Sequence, residues 1–188
     1  MSQPIDLNRI RAIVHANQRN ERANPRNPKA TIVVDRDARI HTADELSPDK
    51  RRTVSRIQQD TFHASRVKRE GGIAESFLPE NTRRVTSAEG GTGWLYSFEN
   101  DFLDSYTMFA FFDGSYYQVL VVSPVVEQRY RSPHTGHIFS SGKICMGQGM
   151  NSGRRTLQDA YAKSVLWATG FSAMLHGRLN RFPFNFNE

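Results

Sequence analysis

Two histidines and the only cysteine of the chain lie close together in the stretch from His134 through His137 to Cys145. Imidazole nitrogens and a thiolate can bind zinc, and a thiolate is also an intrinsically strong nucleophile. A single cysteine cannot form an internal disulfide, so its thiol is either a packing group or a reactive one. Three interpretations therefore compete: a metal site, a cysteine nucleophile and an inert side chain.

Neighbouring residues complete neither a metal site nor a hydrolytic one. His134, His137 and Cys145 would supply three zinc ligands, whereas a closed structural zinc site needs four. The other histidines are scattered, so a carboxylate or a distant histidine would have to bind as well. A hydrolytic cysteine would need a histidine in hydrogen-bond reach and a third group to orient it, and sequence spacing shows neither contact. We expect no metal ion and no other cofactor.

The position of Cys145 favours a functional role over an inert one. Most cysteines outside disulfides are inert packing residues, but such a residue normally lies on a regular strand or helix. Residues 124–155 have no regular period, and two prolines and five glycines interrupt them. Long irregular segments of this kind are usually functional or disordered. Four apolar residues that alternate with small polar ones indicate that this segment is packed against the domain: Ile138, Phe139, Ile144 and Met146.

Four predicted strands precede the cysteine segment. β-Branched and aromatic residues dominate residues 82–87, 93–98, 105–112 and 116–123. Gly90-Gly91 and Asp113-Gly114 are typical turns between them. Consecutive strands joined in this way predict an antiparallel meander. Their aromatic side chains fit a half-buried sheet better than a stacking platform for nucleic-acid bases.

A helix is predicted before the meander. Ser47 and Pro48 are a start signal for a helix over residues 48–70, and Gly71-Gly72 predict its end. This helix has one apolar stripe and a basic opposite face. The basic face fits a solvated surface as well as it fits a docking surface for an acidic partner.

A second, longer helix is predicted after the cysteine segment. Thr156 and Asp159 form a capping box at its start, and a broad apolar face then continues over residues 156–176 to a stop at Gly177. The tail that follows alternates Arg, Asn and Phe. It is expected to pack against the core through three aromatic residues, Phe182, Phe184 and Phe186.

The chain is predicted to form one domain with an N-terminal extension. The extension, residues 1–47, contains a short helix near residues 5–18, a polar linker and a small hairpin over residues 30–41. Residues 48–188 form the domain. The predicted fold class is α+β, a four-stranded antiparallel meander flanked by helices.

Composition limits the partners and the compartment. The formal net charge is +6 and 20 of the 25 basic residues are arginine, which favours nucleic acid or an acidic protein surface as a partner. Because no nucleic-acid-binding motif is present, nucleic acid is the less favoured of the two. No apolar run is long enough to span a membrane and the N-terminal residues do not resemble a signal peptide, so we expect a cytoplasmic protein.

One motif points to a family. Gly142-Lys-Ile-Cys145, reached through His137-Ile-Phe-Ser-Ser, resembles the active-site segment of ubiquitin-conjugating enzymes, in which a stretch rich in asparagine and aromatic residues leads to Gly-x-Ile/Val-Cys. The predicted order of a helix, four antiparallel strands, the cysteine segment and a second helix is similar to the conjugating-enzyme fold. The resemblance covers about residues 48–177.

Three further motifs narrow this resemblance: Phe77-Leu-Pro-Glu-Asn81, Trp94-Leu-Tyr96 and Cys145-Met-Gly147. They resemble segments of divergent prokaryotic conjugating-enzyme-like proteins. This group includes protein B of the PRTRC system and the conjugating component of bacterial antiphage operons that encode a ubiquitin-like protein.

The resemblance implies an activity and a set of partners. Cys145 would carry a ubiquitin-like protein as a thioester, receive it from an activating enzyme and pass it to an amine of a target protein. A JAB-type deconjugating peptidase would belong to the same operon, and the first helix of the domain would help to engage the activating enzyme. The alternative is a non-catalytic interaction domain of the same fold, in which Cys145 is a packing residue.

One position departs from the family pattern. Eukaryotic conjugating enzymes have an asparagine eight residues before the cysteine, where it supports the oxyanion of the tetrahedral intermediate, and this chain has His137 there. An imidazole can also donate a hydrogen bond to an oxyanion, and it titrates near neutral pH. His137 and, with less support, His134 are therefore predicted to act with Cys145. Each of them could instead be a loop histidine with a structural role.

Overall fold

The computed structural model describes residues 32–42, 55–56, 66–86, 92–147 and 153–183. In these ranges the chain is α+β, with two antiparallel sheets and two α-helices. The smaller sheet has the strand order β2-β1-β3 and consists of β1 (Ile32–Val34), β2 (Ile40–Thr42) and β3 (Ser55–Arg56). Helix α1 (Arg66–Phe77) leads from this sheet to the larger one.

The larger sheet is the predicted four-stranded meander. Its strands lie side by side in chain order: β4 (Arg83–Thr86), β5 (Thr92–Glu99), β6 (Ser105–Phe112) and β7 (Tyr117–Ser123). All neighbouring strands are antiparallel, so this prediction is confirmed. At the turn between β6 and β7, the Asp113 carboxylate accepts hydrogen bonds from the backbone N–H groups of Ser115 and Tyr116. The predicted turn at Gly90-Gly91 lies outside the described residues.

Helix α2 (Leu157–Leu175) packs across the larger sheet. The Thr156 side chain accepts a 3.0 Å hydrogen bond from the Asp159 N–H, which confirms the predicted helix start. Every residue from Asp159 to Ala173 is buried. The helix is buried on all sides because β6 and β7 cover one side, and α1, β1 and β3 cover the others. Leu175, predicted to lie on the apolar face, is 44% exposed.

Buried polar groups tie α2 to the larger sheet. Ser164 and Ser172 lie on one stripe of the helix, where they share 2.8 Å hydrogen bonds with the hydroxyls of Tyr96 and Tyr106. Burial raises the pKa of Tyr106 to about 12, so its hydroxyl stays protonated and available as a donor. The small serine side chains also allow the helix to lie close to the sheet.

The N-terminal hairpin is confirmed, and its tip packs against the core. The Tyr161 hydroxyl of α2 donates a 2.9 Å hydrogen bond to the Asp35 carbonyl, and Arg39 forms a 2.5 Å ion pair with Asp101. Ala38 and Val34 are fully buried in the core. The division at residue 47 stays a prediction, and these contacts connect residues on its N-terminal side with α2 and with the turn between β5 and β6.

The predicted helix over residues 48–70 is wrong in both of its bounds. Ser55–Arg56 form β3, because they pair with β1 and this tertiary contact outweighs the helical periodicity of the sequence. Helix α1 runs through Gly71 and Gly72 to Phe77 instead of ending before them. Glycine costs about 1 kcal/mol in a helix interior. The packing of Ile73, Ala74 and Phe77 against the core offsets this cost.

Several predicted features lie outside the described residues. They are the helix near residues 5–18, most of the basic face of the first domain helix, and the aromatic residues Phe184 and Phe186 of the tail. Phe182 is 7% exposed, so its predicted packing is confirmed. Among the helices of the described part of the chain, none is long and apolar enough to cross a bilayer.

Asn100 connects the turn between β5 and β6 to α2, and its removal should destabilise the fold. Its carboxamide accepts hydrogen bonds from the N–H groups of Phe102 and Asp104 and donates to the Ser172 hydroxyl at 2.7 Å. We expect Asn100→Ala to lower the free energy of unfolding by about 3 kcal/mol, because it leaves buried polar groups without partners. Urea unfolding measures this change. Exposed Asn180→Ala is the matched control, and an equal effect of both variants would contradict the prediction.

Candidate functional site

Residues His137 to Cys145 form a narrow hairpin. The Cys145 N–H donates a 2.8 Å hydrogen bond to the His137 carbonyl, and the Phe139 N–H donates one of 2.8 Å to the Lys143 carbonyl. Gly142 makes the return with φ of +82°, a conformation that glycine adopts without steric cost. The hairpin therefore places His137 and Cys145, which are eight residues apart in sequence, opposite each other.

The second arm of this hairpin extends the larger sheet. The Ile144 N–H donates to the Val119 carbonyl at 2.9 Å, and the Val121 N–H donates to the Gly142 carbonyl at 3.1 Å. Both bonds lie on the edge of β7 that faces away from β6. The arm thus protects an edge strand, and the sheet in turn fixes the backbone on the N-terminal side of Cys145.

Cys145 is buried next to core residues. Its side chain is 3% exposed, and its neighbours Ile144 and Met146 are fully buried. Side chains alternate between the two sides of an extended arm. The thiol therefore lies on the side of the arm opposite to Ile144, the side that Lys143 also occupies.

His137 has an unusual backbone conformation. Its φ is +50°, in the left-handed region that few residues other than glycine adopt, and histidine, asparagine and aspartate are the most frequent exceptions. The side chain is 9% exposed, and its ring stacks on the ring of Phe182 with 4.6 Å between centroids.

Burial keeps the His137 imidazole neutral. The pKa of His137 lies below the usual 6.5, chiefly because burial disfavours the charged ring and secondly because His134 is near. At neutral pH the ring therefore carries one N–H donor and one acceptor nitrogen. The neutral ring can donate a hydrogen bond to a developing oxyanion without the desolvation cost of a buried charge.

His134 has a different environment. It is exposed at the start of the cysteine segment, where its N–H donates to the Ser132 side chain at 3.1 Å. Its imidazole influences the pKa of His137 but is not buried with it. Within the part of the chain that the structure describes, no group of three or more His, Cys, Asp or Glu side chains is arranged to hold a metal ion.

Helix α2 holds the first arm of the hairpin in place through Trp167. The Trp167 indole N–H donates a 2.8 Å hydrogen bond to the Gly136 carbonyl, immediately before His137. A β-carbon on Gly136 would lie 2.3 Å from the Tyr130 carbonyl oxygen, so only glycine fits. Sequence reasoning did not single out Trp167 or Gly136, because the contact joins residues 31 positions apart and has no local signal.

Neither the family models, nor the curated proteins, nor the solved structures that were compared with this chain contain a match to it. The resemblance to conjugating enzymes therefore depends on the cysteine motif and on the order of the elements around it. The meander, the cysteine segment and the long helix after it follow one another in the expected order.

Gly136→Ala should destabilise the protein through the site. The added methyl group would collide with the Tyr130 backbone, so the first arm of the hairpin must shift. We expect a loss of about 1–3 kcal/mol in the free energy of unfolding. Gly72→Ala is the control: nothing lies within 4 Å of its β-carbon position, and we expect it to stabilise α1 by about 0.5–1 kcal/mol. Urea unfolding measures the free energy of unfolding of both variants. Losses of equal size in the two variants would contradict the prediction.

The buried neutral His137 should make stability fall in acid. Its pKa in the folded protein lies below that of the unfolded chain, so its contribution is present above about pH 6.5 and is lost as the pH falls through the folded pKa. We expect the unfolding free energy to decrease more steeply from pH 7.5 to 5.5 in the native chain than in His137→Asn. Asparagine tolerates the same backbone conformation and does not titrate. Equal slopes would show that His137 is not held neutral by burial.

Proposed function

We propose that this chain is a conjugating enzyme that carries a ubiquitin-like protein as a thioester on Cys145. One observation carries the proposal: Cys145 lies opposite His137 in a hairpin whose second arm is hydrogen-bonded to β7. The motif before the cysteine and the order of the elements support the same function. A prokaryotic pathway that includes a ubiquitin-like protein, an activating enzyme and a target protein is the proposed context.

The first step is transfer of the ubiquitin-like protein from an activating enzyme. The Cys145 thiolate attacks the carbonyl carbon of the thioester that joins the ubiquitin-like protein to a cysteine of the activating enzyme. A new C–S bond forms, the old C–S bond breaks, and the cysteine of the activating enzyme leaves as a thiolate. Because one thioester replaces another, this step needs no further energy source.

The proposed role of Lys143 in this step is to favour the thiolate of Cys145. Lys143 and Cys145 are two residues apart on an extended arm and lie on the same side of it. A cation near a thiol favours its ionised form, whereas burial of the thiol opposes ionisation.

The second step is attack on the Cys145 thioester by an amine of the target. The C–N bond forms, the amine loses a proton to solvent, the C–S bond breaks and Cys145 leaves as a thiolate. The tetrahedral intermediate carries an oxyanion, and the proposed role of His137 is to donate a hydrogen bond to it from a neutral imidazole. His134 is exposed, and no direct role in this step is assigned to it.

A second candidate function is a non-catalytic interaction domain. The burial of Cys145, which is 3% exposed, favours it, because a thiol that only packs needs no access to a partner. In the carrier function, binding of the loaded activating enzyme must open a path to the sulfur. The two functions therefore differ in whether Cys145 reacts while the protein is folded.

The test is transfer from a charged activating enzyme. The chain is incubated with the cognate activating enzyme, its ubiquitin-like protein and ATP, and the products are separated on non-reducing gels. We expect the native chain to form an adduct that thiols cleave. Cys145→Ala should form none, and Cys145→Ser should form an ester that thiols do not cleave.

Alkylation of the single cysteine separates the two functions when no adduct forms. Iodoacetamide adds one mass increment, so intact-mass spectrometry follows Cys145 alone. If Cys145 in the folded chain is alkylated much faster than the chain unfolds globally, the result supports the carrier function. No adduct from a demonstrably charged activating enzyme, with modification only upon unfolding, would replace the carrier function with the interaction domain.

A further inference from the structure

The segment after α2 returns to the candidate site. Helix α2 ends in a Schellman motif: the Gly177 N–H donates to the Met174 carbonyl at 3.1 Å and the Arg178 N–H donates to the Ala173 carbonyl at 2.9 Å. Gly177 has φ of +65°, which turns the chain back from the helix axis. Phe182 then lies buried against the His137 ring.

The contact between these two rings is specific. The ring planes of Phe182 and His137 are inclined by 27°, with centroids 4.6 Å apart, which is an offset stack. Both side chains are buried, at 7% and 9% exposure. A stack of this kind restricts rotation of the imidazole about its χ2 angle and removes water from one of its faces.

We propose that Phe182 is a positioning residue for His137, so that the segment after α2 completes the candidate site. The catalytic part of this inference rests on the proposed function, whereas the contact between Phe182 and His137 does not. The hairpin holds the backbone of His137, and the aromatic face of Phe182 packs on one face of its ring. This contact limits rotation of the imidazole out of its observed plane.

The surroundings of the ring are consistent with this role. Within the described residues, the hairpin places the Cys145 backbone opposite His137, the preceding loop contributes the exposed His134, and the tail contributes the apolar face of Phe182. His134 is the titratable group that influences the ring from this side. The contact from the tail is the uncharged ring of Phe182. It excludes water from the imidazole and adds no charge beside it.

Nuclear magnetic resonance of the histidine rings tests the inference. His137→Asn assigns the His137 signal, and its titration is then followed in the native chain and in Phe182→Ala. We expect the pKa of His137 to rise towards the usual 6.5 in Phe182→Ala, because the exposed ring loses its desolvation. Phe182→Tyr keeps the ring face and should restore the native titration.

A matched control shows whether the change in the His137 titration is specific to Phe182 or follows the loss of any aromatic residue that stacks on a histidine. Phe102 stacks on another histidine, His176, with 5.6 Å between centroids, so Phe102→Ala should leave the His137 titration unchanged. In the carrier reaction, discharge of the Cys145 thioester to free lysine should slow about tenfold or more in Phe182→Ala, because a misplaced catalytic group costs up to two orders of magnitude.

The outcomes distinguish this inference from the proposed function. An unchanged His137 titration in a folded Phe182→Ala variant overturns the positioning role, whatever the chain does with a ubiquitin-like protein. A shifted titration in a chain that never forms a thioester supports the contact between the tail and His137 and overturns the proposed function alone. A shifted titration with an unchanged discharge rate overturns the catalytic part of the inference.

Discussion

Helix α2 is buried on all sides, and this burial governs how the other elements pack. A helix with no solvated face cannot leave a polar side chain without a partner, since an unpaired buried group costs about 1–3 kcal/mol. Several polar side chains of this helix bind partners on other elements. Ser164 and Ser172 bind tyrosines of the sheet, and Tyr161 binds the N-terminal hairpin. The helix thus fixes its neighbours in place.

The candidate site depends on the same helix. Trp167 binds the backbone immediately before His137, and the Schellman motif at Gly177 directs Phe182 onto its ring. The Cys145 arm is held from the other direction, by the edge of β7. His137 and Cys145 therefore belong to one hairpin whose two arms are anchored to different layers of the fold. Such double anchoring is how a rigid scaffold keeps functional groups within a narrow range of geometry.

The proposed chemistry of the site makes opposing demands. A nucleophilic thiol needs a path to its partner, whereas a neutral imidazole and a dry oxyanion site need burial. In this chain the side chains of Cys145 and His137 are both almost fully buried, so the structure meets the need for burial rather than the need for access. The left-handed conformation of His137 adds local strain of about 1 kcal/mol or more, and strain of this kind is concentrated at functional positions.

Sequence patterns predicted the meander, the long C-terminal helix with its cap, the N-terminal hairpin and the packing of the cysteine segment. Local signals specify these features: strand alternation, turn residues and the Thr156 cap. The position of α1 depends on tertiary packing, because burial of Ile73 and Phe77 outweighs two helical glycines, and Ser55–Arg56 have a strand partner. The contacts of His137 with Phe182 and of Gly136 with Trp167 were also beyond the sequence, since residues far apart along the chain meet only when the core packs.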